Sequence, residues 1–321
     1  MSFRTPMTQQ VGGKFFAYGL THEGKSWFGL TFPKVAAIDS EVGLAFDEGK
    51  DIKIGNKTYN NLIFVDTTSD LDTLEENLDD LIEGEVDCDT LLIDSETKFY
   101  NNMDIGATEV EERKAKLAGK AVDARSKWGR IKNISIKLQQ AKITLSAKGK
   151  HVVSTAQANE VKDKDGNVIG YKADVQKALP FDYDVILRFY SEEDKKSGER
   201  KFFAEVMKDR THVTTRGDII ENCTYDIWKP MFDERGKTGT TSTANYSSDL
   251  NKSVDGVLNK AEQSERLAVE ITDIIKSFKG NIDIQKQIKG KIDELKIDIK
   301  ELHFTAPETL ETLLKGIKLL K

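Results

Sequence analysis

The run Gly19-Leu20-Thr21-His22-Glu23-Gly24-Lys25-Ser26 sets a glycine, four variable positions and then Gly-Lys-Ser directly after the apolar residues Phe15-Phe16-Ala17-Tyr18. Residue types at this spacing bind phosphate. The two glycines let the backbone wrap around phosphate oxygens with its N–H groups turned inward, Lys25 adds a point charge, and the Ser26 hydroxyl is a ligand for Mg²⁺. Gly236-Lys237-Thr238 repeats the last three letters. Met231 stands in place of its first glycine and no apolar strand precedes it, so no second loop is expected there.

A phosphate loop working with Mg²⁺ needs a carboxylate on the metal side. Thr90-Leu91-Leu92-Ile93-Asp94 supplies one at the end of an apolar strand, which makes Asp94 the Walker-B candidate. Asp39-Ser40-Glu41 adds carboxylates at another strand end. Glu41 is a candidate to orient or deprotonate the attacking water, with Asp39 as its competitor, although both also suit a helix N-cap. Gln157, after Ser154-Thr155-Ala156, is placed to sense a γ-phosphate. Lys208 and Arg210 stand two apart at the end of an apolar run, so they point to the same side of a strand. Aimed at a neighbouring subunit's nucleotide, such a pair stabilises transition-state charge in trans.

These residues need a scaffold that brings strand ends together. Apolar, β-branched segments at 14–18, 34–39, 90–94 and 151–155 alternate with helical or loop material, which is the rhythm of a mainly parallel sheet flanked by helices. In such sheets ligands bind at the carboxyl ends of the strands. Residues 51–65 read as a small hairpin leading into another strand, and Leu71, Leu74, Leu78, Leu81 and Ile82 mark a helix with one apolar face. A further hairpin is expected over 184–190 and 200–207, with a polar turn at 192–198. The core is expected over residues 1–235. Gly, Ser, Thr and Asn enrichment suggests a flexible linker over 236–256, and helical spacing suggests a helical C-terminal segment over 257–321. Its last helix is expected to start on a capping box from Thr305 to Glu308.

Composition narrows the class. Of 321 residues, 38% are hydrophobic and 32% charged, as in a globular protein, and no run is long enough to span a membrane. The polar start lacks the apolar centre of a signal peptide, so a cytoplasmic address is expected. Two distant cysteines and four scattered histidines suit neither a disulfide framework nor a zinc site. A net charge of −6 argues against nucleic-acid binding over the whole surface, but leaves room for a local basic groove.

Taken in order, GLTHEGKS, TLLIDSETKF, VSTAQ and VMKDRT resemble the RecA-like phage nucleotide-binding ATPases, in particular the Sak-four type of single-strand annealing protein. The resemblance covers residues 14–211 and leaves the helical tail unexplained. It implies a phage protein of the host cytoplasm with a RecA-like P-loop fold. Such a protein binds ATP and Mg²⁺, assembles as a ring or filament on single-stranded DNA, and promotes annealing or recombination beside a single-strand binding protein. It also implies that Asp94-Ser95 matches the family's Walker-B Asp-Ser, Gln157 the glutamine coupling ATP to the second DNA loop, and Lys208 with Arg210 the K-x-R pair of related ring ATPases. His22-Glu23 departs from the small residues usual in that loop. RecA-like proteins bind DNA through loops after the third and fourth core strands. Here those stretches hold Lys114, Lys116 and Lys120, then Lys162, Lys164, Tyr171 and Lys172, interleaved with acidic residues.

Two other classes fit the phosphate loop. A small-molecule kinase would need an acceptor pocket and a cationic lid in the same subunit. A nucleotide-gated interaction protein would use the helical tail to recruit a replication partner.

Overall fold

The computed structural model describes residues 5–193 and 198–320, and the chain divides after Ser247 into two compact units. Among the described residues the first unit is built on a nine-stranded sheet. Its strands are β1 (Lys14–Gly19), β2 (Val35–Asp39), β3 (Leu62–Asp66), β4 (Thr90–Asp94), β5 (His151–Lys162), β6 (Val168–Ala173), β7 (Val185–Glu193), β8 (Arg200–Asp209) and β9 (Ile219–Glu221). The order across the sheet is β9-β8-β7-β1-β5-β4-β2-β3, with β6 paired to the outer part of β5. From β7 to β3 all neighbours are parallel, whereas β8, β9 and β6 join as antiparallel extensions. β5 therefore lies between the phosphate-loop strand β1 and the Asp94 strand β4.

Strand alternation feeds two cores at once. Phe15 and Ala17 of β1 face one side, where they pack with Phe28, Phe32, Leu187 and Trp228. Phe16 and Tyr18 face the other, against Ala156, Leu179 and Tyr183. Among the described residues, five α-helices accompany this sheet: α1 (Lys25–Leu30), α2 (Leu71–Glu83), α3 (Glu96–Ala118), α4 (Ala124–Ala147) and α5 (Lys229–Thr238). α2 follows the sequence pattern closely. Asp70 caps it by accepting from Thr73 N–H at 2.9 Å, Gly84 ends it at φ 86°, and Leu74, Leu78, Leu81 and Ile82 are its buried stripe.

The hairpin expected within 51–65 pairs Ile52–Ile54 with Lys57–Tyr59, and Leu62–Asp66 follows as the edge strand β3. The second hairpin is β7–β8, of whose polar turn residues 194–197 lie outside the described residues. Residues 236–256, read from composition as a flexible linker, are ordered otherwise. They hold the end of α5, a short strand Thr240–Thr241 paired with Gln9–Gln10, and the first turns of α6 (Tyr246–Ser277). Backbone pairing with the N-terminal strand and helix propagation override the local Gly and Ser content.

In the second unit, α6 packs with α7 (Ile282–Glu294) and α8 (Pro307–Lys318) around Ile271, Ile288, Leu310, Leu313 and Ile317. The capping box predicted for α8 does not form. Pro307 takes the first helical position, the cap is Ala306, and the Thr305 hydroxyl instead donates back to Glu301 O at 3.5 Å. No helix among the described residues is long and apolar enough to cross a membrane.

Candidate active site

β1 ends at Gly19 and the chain re-enters helix at Lys25, so the six-residue α1 begins on the loop's Gly-Lys-Ser. Both glycines are required. A Cβ on Gly19 would stand 2.4 Å from the Phe189 carbonyl of β7, and Gly24 adopts φ +90°, where L side chains are strained. His22 also takes positive φ, at 61°. The loop opens into a cavity of about 510 Å³ lined by Thr21–Trp27 on one side and by Glu41, Asp94, Ser95, Thr155 and Gln157 on another.

The strand order explains that gathering. β1, β5, β4 and β2 are parallel neighbours, so their carboxyl ends deliver Gly19, Gln157, Asp94 and Asp39 to one edge. Asp94 accepts from the Thr155 hydroxyl. Burial pushes its carboxyl up from the usual range, opposed by the Thr155 and Ser26 hydroxyls and reinforced by Asp39 and Glu41. Lys25 Nζ donates to Leu20 O at 2.6 Å. Burial lowers its pKa, with Asp94, Glu23 and Glu41 pulling the other way. Ser26 and Asp94 thus form a compact set of hard oxygen donors beside a cation. That suits Mg²⁺, which takes one or two protein oxygens and completes its shell with phosphate and water.

The two candidate carboxylates separate by environment. Asp39 is buried and saturated: Oδ1 accepts from the N–H groups of Glu41 and Gly43 at 3.0 and 3.2 Å, and Oδ2 from Leu44 at 2.8 Å. It shapes the loop. Glu41 lines the cavity, where Oε1 accepts from Ser95 Oγ at 2.8 Å and Gln157 Nε2 at 3.1 Å. Glu41 is thus the carboxylate available to a water.

Lys208 and Arg210 lie elsewhere. β8 runs antiparallel to β7, so its end meets the start of that strand, at the sheet edge opposite the phosphate loop. Lys208 Nζ donates to Phe181 O at 3.1 Å and also to Tyr183 O, while Arg210 Nη2 donates to Phe181 O at 3.3 Å. The two point to one patch, as their spacing predicts, and neither lines the cavity.

The basic stretches after β4 and β5 are not loops. Lys114 and Lys116 sit in α3 and Lys120 just beyond it, and Lys162 and Lys172 lie on the β5–β6 hairpin with Lys164 in its turn. Several acids in and beside these stretches have basic partners. Buried Glu111 takes Lys114 at 3.3 Å and Arg130 of α4 at 3.2 Å, and Asp104 takes Lys127 at 3.0 Å, so these charges fasten α3 to α4. Lys162 pairs with Glu160 at 3.0 Å. Tyr171 is half-buried, its ring 5.6 Å from the Arg188 guanidinium.

Sequence reasoning missed Arg200, Phe202 and Trp27, which also line the cavity. Trp27 adjoins the motif, so proximity could have flagged it. Arg200 and Phe202 arrive because the β7–β8 hairpin docks against β1, a long-range pairing for which the sequence carries no local signal.

This topology, with one strand between the phosphate-loop strand and the strand ending in Asp94, and with the loop, hydroxyls and carboxylates on one edge, defines a RecA-like P-loop ATPase domain. The chain belongs to the AAA domain family, whose match spans residues 12–232 and so covers most of the first unit. Among solved structures, a KaiC-like protein from Pyrococcus horikoshii OT3 is 16% identical over 66% of this chain and 84% of its own, with a TM-score of 0.38. The flagellar accessory protein FlaH from Methanocaldococcus jannaschii is 12% identical over 66% and 85%, with a TM-score of 0.34. No curated protein sequence matches the chain.

Proposed function

We propose that the chain binds ATP with Mg²⁺, hydrolyses it, and couples that cycle to single-stranded DNA in phage-type annealing or recombination, working as a homo-oligomer. The observation that carries this reading is the position of Gln157. It is bonded to Glu41 inside the cavity, and it lies on β5 shortly before that strand pairs with β6 as a hairpin. That hairpin bears Lys162, Lys164, Tyr171 and Lys172.

In this scheme the loop N–H groups and Lys25 cradle the phosphates, and Ser26 with Asp94 holds the metal. Bound Mg²⁺ neutralises charge on the phosphate oxygens. Glu41 orients the attacking water and accepts its proton, while Ser95 and Gln157 fix the Glu41 carboxylate. Gln157 Nε2 carries a second N–H that can donate to a γ-phosphate oxygen beside its bond to Glu41, and the strand beyond it links that contact to the hairpin. Lys208 and Arg210 act on the nucleotide of an adjacent subunit, which fits their place at the opposite sheet edge.

ATPase rate measured with and without single-stranded DNA tests the proposal. Stimulation by DNA supports it. An unstimulated rate with phosphate passed to a metabolite supports a kinase, and nucleotide-dependent binding of a replication protein without turnover supports a switch.

A further inference from the structure

Glu23 is 7% exposed, and its Oε2 has no hydrogen-bond partner among the described residues. A buried acid inside a phosphate loop opposes the ligand that the loop is built to hold, so something beside it must offset the charge. Arg200 joins Lys25 in doing so. Its Nη2 stands 3.9 Å from Glu23 Oε1, its Nε donates to Ser191 Oγ at 2.7 Å, and it lines the same cavity. Phe202, next on that face of β8, comes within 3.7 Å of where a Cβ on Gly24 would stand, so the strand lies directly against the loop.

The sheet order divides the cavity. Asp94, Glu41, Thr155 and Gln157 come from strands on one side of β1, or from the turn that follows, and Arg200 and Phe202 from β8 on the other. Metal and attacking water belong with the carboxylates, so the terminal phosphate lies toward them. The remainder of the nucleotide must extend toward β8.

We propose that Arg200, positioned by Glu23 and Ser191, is a cis-acting recognition residue for the diphosphate-nucleoside portion shared by ATP and ADP. The guanidinium bonds non-terminal phosphate oxygens or stacks on the base, and Glu23 and Ser191 hold it at the cavity wall while its side chain stays 54% exposed. This rests on the ATP-binding reading above and assigns the half of the site that the loop motif leaves undefined.

Titration of full-length protein with fluorescent ATP and ADP tests it, together with steady-state hydrolysis. Arg200→Ala is expected to weaken ATP and ADP alike by about 10- to 100-fold, raising KM with kcat nearly unchanged. Arg200→Lys should recover only part of that loss. Glu23→Gln should alter affinity in the wild-type background and have little further effect when combined with Arg200→Ala. Loss confined to ATP, or to kcat, would overturn the assignment, because Arg200 would then act on the terminal phosphate. An equal Glu23→Gln effect in both backgrounds would overturn the pairing. If wild-type protein binds neither nucleotide, the ATP reading falls with this one; if it binds both and Arg200→Ala does so equally well, only this inference falls. Circular dichroism of each variant separates these outcomes from misfolding.

Discussion

Gln157 Nε2 donates to Glu41 Oε1 at 3.1 Å, joining the strand that leaves the sheet as a hairpin to the carboxylate beside the phosphate loop. The same oxygen accepts from Ser95 Oγ at 2.8 Å, so the Glu41 carboxylate is held from two strand ends. Glu41→Gln should keep nucleotide affinity and lower kcat by about 10²- to 10⁴-fold, the usual contribution of a positioned general base. Gln157→Ala should lower kcat less and reduce its response to DNA. Single-turnover hydrolysis beside a nucleotide titration checks both, and wild-type turnover in Glu41→Gln would return the role to another group.

Lys25→Ala removes the cation of the cradle, whose Nζ now rests on Leu20 O at 2.6 Å. Nucleotide affinity should fall by about 10- to 100-fold, the range for a charge-assisted hydrogen bond. Asp94→Asn keeps the shape of the strand end and deletes its charge. It should retain part of the affinity and lose Mg²⁺-dependent turnover. A Mg²⁺ titration of the hydrolysis rate distinguishes the two variants, and Asp94→Asn matching wild type at limiting Mg²⁺ would remove Asp94 from the metal site.

The loop, the Asp94 strand and the parallel sheet were legible because each is encoded locally: a fixed glycine spacing, or an apolar run ending in Asp. α3 was not. Its buried stripe of Phe99, Met103, Ala107 and Glu111 is narrow and includes an acid. Its acids Glu111 and Asp104 are engaged by Arg130 and Lys127 of α4, so part of the charge that resembles a nucleic-acid surface serves helix packing. Arg200 was invisible for a different reason: the hairpin it belongs to was legible, but only the pairing of β7 with β1, which sets Phe189 beside Gly19, brings that hairpin to the loop. The choice between Asp39 and Glu41 likewise needed the three backbone N–H groups that occupy Asp39.

His151 supplies a pH prediction. It is buried, its Nδ1 accepts from Gly13 N–H at 2.9 Å, and its Nε2 lies 3.0 Å from the Tyr225 hydroxyl. Burial lowers its pKa from 6.5 to about 4. The unfolded chain therefore takes up a proton near pH 6.5 that the folded protein refuses until about pH 4, so stability falls as pH drops through that window. The loss should reach roughly 3 kcal/mol at the acid end. Urea unfolding at pH 7 and pH 4.5 measures it, and His151→Leu should shrink the difference by a comparable amount.

Lys208 and Arg210 share the Phe181 carbonyl at the far sheet edge, so the action proposed for them on a nucleotide is one across an interface. Arg210→Ala should spare ATP binding and lower kcat by about 10³-fold or more, as loss of a trans-acting arginine does. Mixing Arg210→Ala with Lys25→Ala, each inactive alone, should restore some hydrolysis because one subunit contributes an intact loop and the other an intact pair. Absence of recovery in verified mixed oligomers would count against action in trans.

DNA binding provides the last test, and the β5–β6 hairpin is the place to apply it. Replacing Lys162, Lys164 and Lys172 together should weaken single-strand affinity and flatten its salt dependence, by about 0.7 in log–log slope for each phosphate no longer neutralised. Replacing Lys114, Lys116 and Lys120 together is the parallel test on the other stretch; one lysine of each set already has an acidic partner, Lys114 with Glu111 at 3.3 Å and Lys162 with Glu160 at 3.0 Å. Tyr171→Ala should cost about 1–3 kcal/mol if the ring stacks on a base, with the slope unchanged. Arg188 lies 5.6 Å from that ring, so a base stacked on the same face would compete with the guanidinium, and Arg188→Ala should then alter affinity in the same assay. Titrations at several salt concentrations with ATP present separate charge from stacking; a wild-type protein without salt-sensitive affinity for single strands would remove the annealing reading and leave the ATPase site intact.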